Sequence, residues 1–293
     1  MNIQKSFENE EAALYVVPTP IGNLEDITYR AIRMLKEASV IAAEDTRNTK
    51  KLLHYFEIET PLISYHEHNH QSRVNQLMDR IKGGEVVALV SDAGMPAISD
   101  PGVELVQAAI AEEIKVIVLP GANAALSALV GSGLTTQPFT FYGFLPRKKK
   151  EKKQILEDLQ RLEGTIIFYE SPYRVKDTVE VIQETYGNRK MALGRELTKR
   201  FEEYIRGTAE EIFSWCTKNE MRGEFVVMVE GRNMSDESEI RQESTWWESM
   251  SLHEHVTYYI NTSGFSSKEA IKQTAVDRGI PKREVYQAYH IQT

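Results

Sequence analysis

Cys216 is the one cysteine in 293 residues, so no internal disulfide can form and the chain suits a reducing compartment. No apolar run approaches the ~20 residues needed to cross a bilayer. The opening stretch, MNIQKSFENEE, is polar and acidic and has no apolar signal segment. These absences predict a cytoplasmic protein. A basic excess is lacking too: the formal net charge of −8 argues against a general nucleic-acid binder and leaves only local patches for that role. What is present, 41% hydrophobic and 27% charged residues, is ordinary for a globular protein, and the chain is long enough for more than one compact unit.

The first half alternates strand and helix signals. ALYVVP (13–18), SVIAAED (39–45), PLISY (61–65), EVVALV (85–90) and KVIVLP (115–120) read as buried strands. Between them, Ile27, Ala31, Ile32 and Leu35 fall at helical spacing, residues 46–56 look helical, and Val74, Leu77, Met78 and Ile81 mark a helix stopped by Gly83-Gly84. Repeated β-α-β connections imply a mostly parallel sheet. A second α/β series follows through FTFYGFLP (139–146), TIIFYESPYR (165–174), KMALGRELTKR (190–200) and GEFVVMVEG (223–231), with Thr208 and Glu211 spaced as a capping box. From Met234 the chain turns acidic and polar, as a linker does, and then shows two short helical stretches around Gly279-Ile280-Pro281. The expected domains are therefore 13–122, 123–233 and 234–293. The tail exposes Lys268, Lys272, Lys282 and Arg283; it reads as a packing hairpin, with contact to nucleic acid as the alternative.

Two loops follow strands where open α/β sheets bind ligands. SDAGMPAISDPG (91–102) combines Gly94 and Gly102 with Pro96 and Pro101, between the carboxylates Asp92 and Asp100. A plain βα turn with an Asp100 cap explains the same residues. PGANAALSALVGSGL (120–134) starts a helix of small side chains, which suits close packing and close ligand approach equally. HEHNH (66–70) fits the H-E-x-x-H zinc pattern, but that chemistry needs both histidines in one helix, and this segment leaves a strand; no metal is expected. Arg147, Lys148, Lys149, Lys150, Lys152 and Lys153, interrupted by Glu151, form the densest positive run and are the candidate RNA contacts.

PTPIGNLEDIT, AEDTR, YHEHN, SDAGMPAISDPG, PGANAALSAL, FYGFLP, ESPYR, RELTK and GEFVVMVEG occur in this order. Together they resemble the ribosomal-RNA-modifying branch of the tetrapyrrole-methylase superfamily over residues 14–231, with a weaker match in the tail. The resemblance implies two α/β domains with the cofactor cleft between them and a small helical C-terminal tail, usually as a homodimer. It also implies S-adenosylmethionine as methyl donor and 2′-O-methylation of a cytidine ribose in the decoding region of 16S rRNA, within the small ribosomal subunit. A methylase of a tetrapyrrole-type small molecule and a non-catalytic ribosome-assembly factor are the alternatives.

The resemblance places Ile21 and Gly22 where the first loop meets cofactor or substrate. Ala93, Gly94 and Met95 match the Gly-Gly-Asp-Pro cofactor loop, with Ile98 just beyond; Met95 replaces its Asp, so no carboxylate contact is inherited there. Asn123 and Ala124 match a Thr-Ala pair, and Tyr169 and Glu170 lie near a third cofactor segment. A ribose hydroxyl is a poor nucleophile at neutral pH, so in-line placement and a proton acceptor are needed. The candidate catalytic groups are Asp45, with Arg47 on a phosphate, then Asp92, Lys199 and, less directly, Glu170. Each carboxylate can instead cap a helix or pair with a neighbouring charge.

Overall fold

The structure, a computed structural model, describes residues 3–6, 12–66, 70–232, 247 and 249–290. Short runs of β-branched and small apolar residues form its first sheet: β1 (Ala13–Val16), β2 (Val40–Ala43), β3 (Leu62–Ser64), β4 (Val87–Val90) and β5 (Lys115–Val118). All are parallel, in the order β3-β2-β4-β1-β5. Every residue of β2 and β4 is buried, because helices cover both faces. Alternate residues serve alternate cores. Ile41, Ala43, Ala88 and Val90 pack with Leu35 of α1 (Tyr29–Glu37) and Leu53 of α2 (Thr46–Tyr55). Val40, Ala42, Val87 and Leu89 pack with Leu77 and Ile81 of α3 (His70–Lys82) and Leu105 of α4 (Val103–Ala111). α3 stops at Lys82, and Gly84 turns the chain at φ +95°.

The second sheet contains β6 (Phe139–Phe144), β7 (Thr165–Glu170), β8 (Lys190–Arg195), β9 (Glu203–Thr208) and β10 (Phe225–Val229). Its order is β6-β7-β10-β8-β9; the β6–β7 pair is parallel and the other pairs are antiparallel. One face packs on α6 (Lys149–Leu159), α7 (Val175–Tyr186) and α8 (Ala209–Lys218), and α5 (Ala124–Ser132) covers the other. Thr208 and Glu211 do form a capping box on α8. Strand β9 carries little sequence signal, since EYIRGT mixes charged residues into an edge strand, as exposed edges commonly do.

The chain divides into two compact units, 1–231 and 232–293, so both sheets lie within the first. The second unit contains α9 (Leu252–Ser263), α10 (Ser267–Asp277) and α11 (Lys282–His290) around Val256, Ala270, Ile271 and Val285. The sequence reading anticipates two helices here and misses α9, whose β-branched and aromatic residues depress its helix signal. Ser251 with Glu254 and Ser266 with Glu269 cap α9 and α10, and Gly279 at φ +62° turns the chain between α10 and α11. The acidic stretch 234–243 lies outside the described residues.

Candidate functional site

The loops after β1 and β4 leave adjacent strands at the carboxyl edge of the first sheet, and the chain continues from them in opposite directions, to β2 on one side and β5 on the other. That is the switch point at which open α/β sheets form a ligand crevice. The two loops are tied together: Thr19 and Gly94 exchange both backbone hydrogen bonds, at 2.9 and 3.0 Å. The Thr19 hydroxyl also donates to the Ser91 carbonyl at 3.1 Å. Gly94 sits at φ +78°, and a Cβ there would meet Ile21 Cγ2 at 3.2 Å, so glycine is needed for the close approach.

Above this edge lies a cavity of about 360 Å³ between the two sheets, within the size range of small-molecule sites. Ile21, Ala93, Gly94, Met95 and Ile98 form one wall, Asn123 and Ala124 the start of α5, and Tyr169, Leu197 and Val226 the opposite wall. Eight of the nine residues expected from sequence to meet a cofactor, Glu170 included, thus lie around one cavity, and Gly22 is the exception. Asn123 accepts from the Leu126 N–H as the cap of α5, so its side chain is engaged and the helix N-terminus faces the cavity. Ala97, Ser99, Glu196 and Thr198 hold positive φ in the loops beside the cavity, a conformation that ordinary residues keep only where the surroundings impose it.

The carboxylates fall elsewhere than expected. Asp45 caps α2, accepting from the Arg47 N–H at 2.8 Å, and pairs with the Arg47 guanidinium at 2.7 Å. Those Arg47 hydrogen bonds pull its pKa down to about 2, which makes it a weak proton acceptor, and neither residue is among those lining the cavity. Asp92 faces a second hollow on the far side of the Thr19–Gly94 bridge, together with Gly22. Glu170 borders the cavity, but its buried carboxylate accepts from Thr178 Oγ1 and its neighbour's N–H and pairs with Arg174, leaving it anchored inside the second domain. Lys199 packs its stem over Gly22 and pairs with Glu196 at 2.9 Å and Glu224 at 3.0 Å. Partial burial opposes its charge, yet those carboxylates raise its pKa above the ordinary value, so it suits holding an anion rather than accepting a proton.

Asp100, which the sequence accounts for as a helix cap, has a different place. Gly102, not Asp100, stands at the α4 N-cap, with no side-chain cap. Asp100 instead lines the cavity, half-buried, and desolvation together with the nearby Glu44 and Asp92 charges raises its pKa to about 7 against a hydrogen bond from Ser91. The signal was the Ser-Asp-Pro-Gly turn itself, which a helix cap explains equally well.

One further expectation is corrected. Lys152 is buried at 3% exposure, where its Nζ donates to Thr178 Oγ1 at 2.8 Å, so it is absent from the basic surface. Of the rest, Lys148 pairs with Glu151, Lys149 with Glu184 and Lys153 with Glu157, while Arg147 and Lys150 are exposed. His66 lies in coil after β3 and α3 begins only at His70, so the two histidines of the zinc pattern do not share a helix; Glu67 to Asn69 lie outside the described residues.

Fold and site define an α/β protein of two sheets with a small-molecule cleft at the carboxyl edge of the parallel one. The family model "Tetrapyrrole (Corrin/Porphyrin) Methylases" matches residues 13–212. The chain is 55% identical over 290 residues to "Ribosomal RNA small subunit methyltransferase I" of Bacillus subtilis (strain 168), covering 98% of both chains. It is 46% identical to the protein of the same name from Streptococcus pyogenes serotype M3, covering 99% of both. Among solved structures, a cobalt precorrin-4 methyltransferase superposes with a TM-score of 0.57 at 18% identity, over 75% of this chain and 95% of that one. A uroporphyrin-III C-methyltransferase from Thermus thermophilus complexed with S-adenyl homocysteine superposes with a TM-score of 0.53 at 19% identity, over 74% of this chain and 97% of that one. The chain belongs to the tetrapyrrole methylase family, in the group that carries the name of these bacterial relatives.

Proposed function

We propose that the protein transfers a methyl group from S-adenosylmethionine to the ribose 2′-hydroxyl of a cytidine in the decoding region of 16S rRNA. The observation that carries this is extent: the Bacillus subtilis relative aligns over 98% of the chain, including its C-terminal unit, whereas the corrin and porphyrin methylase structures stop at about three quarters of it. The residues of the cavity fit the methyl donor. Apolar walls from Ile21, Ile98, Leu197 and Val226 suit its adenine, and the positive N-terminus of α5 suits its carboxylate. When bound, it supplies an activated methyl on a sulfonium, so the protein's task is placement and proton removal.

Asp100 is the proton acceptor we assign, because the competing carboxylates are engaged: Asp45 by Arg47, Glu170 by Thr178 and Arg174, and Glu224 by Lys199. Asp100 would take the proton of the 2′-hydroxyl as the oxygen displaces the neutral thioether from the methyl carbon of the bound donor. The exposed members of the Arg147–Lys153 run hold phosphates. The family resemblance further supports a homodimer in the cytoplasm, acting on the small subunit; no described helix is long and apolar enough to cross a membrane. The test is labelled methyl transfer from S-adenosylmethionine to small subunits from cells lacking this protein, followed by ribose-methyl mapping. Label at one cytidine ribose is expected; label entering a tetrapyrrole and not RNA overturns the proposal, as does RNA binding without any transfer.

A further inference from the structure

The second hollow, about 290 Å³, is separate from the cavity proposed above for the methyl donor, and the two are lined by neighbouring residues of the same loops. Along that wall consecutive residues face opposite ways: Ile21 and Ala93 border the cavity, Gly22 and Asp92 the hollow. The other side of the hollow is one stripe of α2, Asn48, Lys51, Leu52 and Tyr55, which the i, i+3, i+4, i+7 spacing brings onto one helix face. The helix carries Arg47, Lys50 and Lys51 and no acidic residue, in a chain whose net charge is −8. Lys51 is exposed and makes no ion pair within the described residues. Tyr55 is 63% exposed at the rim, its ring braced edge-on by Phe56 with centroids 4.9 Å apart. Leu24 adds an apolar side chain to the lining.

At the floor, Asp92 accepts from the Asp45 N–H at 3.1 Å and from Asn48 Nδ2 at 3.0 Å. A carboxylate has about four acceptor positions, so these two bonds orient it and leave lone pairs for a donor in the hollow. An aromatic face, a cation and an oriented acceptor within one small concavity match the three parts of a nucleotide: base, phosphate, and an amino or hydroxyl donor.

We infer that this hollow is a nucleotide subsite for single-stranded RNA, with a base stacked on Tyr55, a phosphate at Lys51 and Asp92 accepting from a base amino group or ribose hydroxyl. Resting on the function proposed above, it places a nucleotide of the substrate strand one loop's thickness from the methyl donor. It also changes the role of Asp92, from acting on the reacting hydroxyl to holding RNA.

The test compares wild type with Tyr55→Ala, Tyr55→Phe and Lys51→Glu, in the full chain. Three quantities are measured: affinity for a labelled single-stranded oligoribonucleotide, KM and kcat with small subunits, and S-adenosylmethionine affinity. Loss of a stacked base predicts roughly a tenfold or greater weakening of RNA affinity in Tyr55→Ala, with Tyr55→Phe near wild type. Lys51→Glu is expected to weaken RNA binding and flatten its salt dependence. KM for subunits rises in parallel, and S-adenosylmethionine affinity stays unchanged, which also reports an intact fold. Unchanged RNA affinity in Tyr55→Ala and Lys51→Glu overturns the inference, as does Tyr55→Phe behaving like Tyr55→Ala. Should wild type methylate no RNA, the proposed function fails, while RNA affinity still decides the subsite.

Discussion

At the scale of single residues, Asp100 and Asp45 show how position sets the chemistry of one functional group. Asp45 faces Arg47 and is held ionised, with a pKa of about 2; Asp100 sits in the cavity beside like charges, with its pKa pushed up to about 7. Two outcomes follow for Asp100→Asn. If Asp100 takes the proton, kcat/KM for wild type rises with pH through an apparent pKa near 7, and the variant loses both that limb and most of the rate. Stability moves the other way. An aspartate with a raised pKa binds more protons folded than unfolded, so its contribution to stability is lost as pH rises from about 4 to 7. The variant should therefore melt higher than wild type by a larger margin at pH 8 than at pH 5. Calorimetry at both pH values checks this, and an equal shift at each would rule out the raised pKa.

At the scale of elements, α6 divides its lysines between two tasks that the sequence presents as one run. Lys152 points into the second domain, where burial lowers its pKa and its ammonium bonds Thr178, which in turn bonds Glu170. Lys150, two residues earlier, is exposed. Lys152→Met should cost about 1–3 kcal/mol of stability through broken buried polar contacts and leave RNA affinity unchanged in the folded protein. Lys150→Glu should leave the melting temperature unchanged and weaken RNA binding. Denaturant melts and salt-dependent binding separate the two; the reverse pattern would return Lys152 to the RNA surface. Helical periodicity explains why the sequence alone does not sort them: which side of α6 is inner depends on β7 and α7 lying against it.

At the scale of the whole molecule, the first unit contains both sheets, their cores and the cavity, and the second has a core of its own. A chain ending at Gly231 should therefore fold and bind S-adenosylmethionine with unchanged affinity, as titration calorimetry would register. Its transfer to small subunits should fall sharply if the C-terminal unit serves the RNA, and full transfer by the truncated chain would remove that unit from substrate recognition.

Much of this architecture was legible in the chain. Period, β-branched runs and glycine stops placed most strands and helices, because local burial patterns follow from backbone geometry. The family resemblance carried by the ordered motifs pointed to Ile21, Ala93, Gly94, Met95, Ile98, Asn123 and Ala124, and these residues line one cavity. The edge strand β9, the helix α9 and the burial of Lys152 were not legible, since each depends on neighbours distant in sequence. The same holds for the carboxylates. Sequence determined that Asp45, Asp92 and Asp100 stand in the connections that follow strands; only the tertiary structure decided that one caps a helix, one faces a hollow and one enters the cavity. Proton affinity and reach depend on partners, desolvation and direction, and those exist only once the loops after β1 and β4 have been tied together.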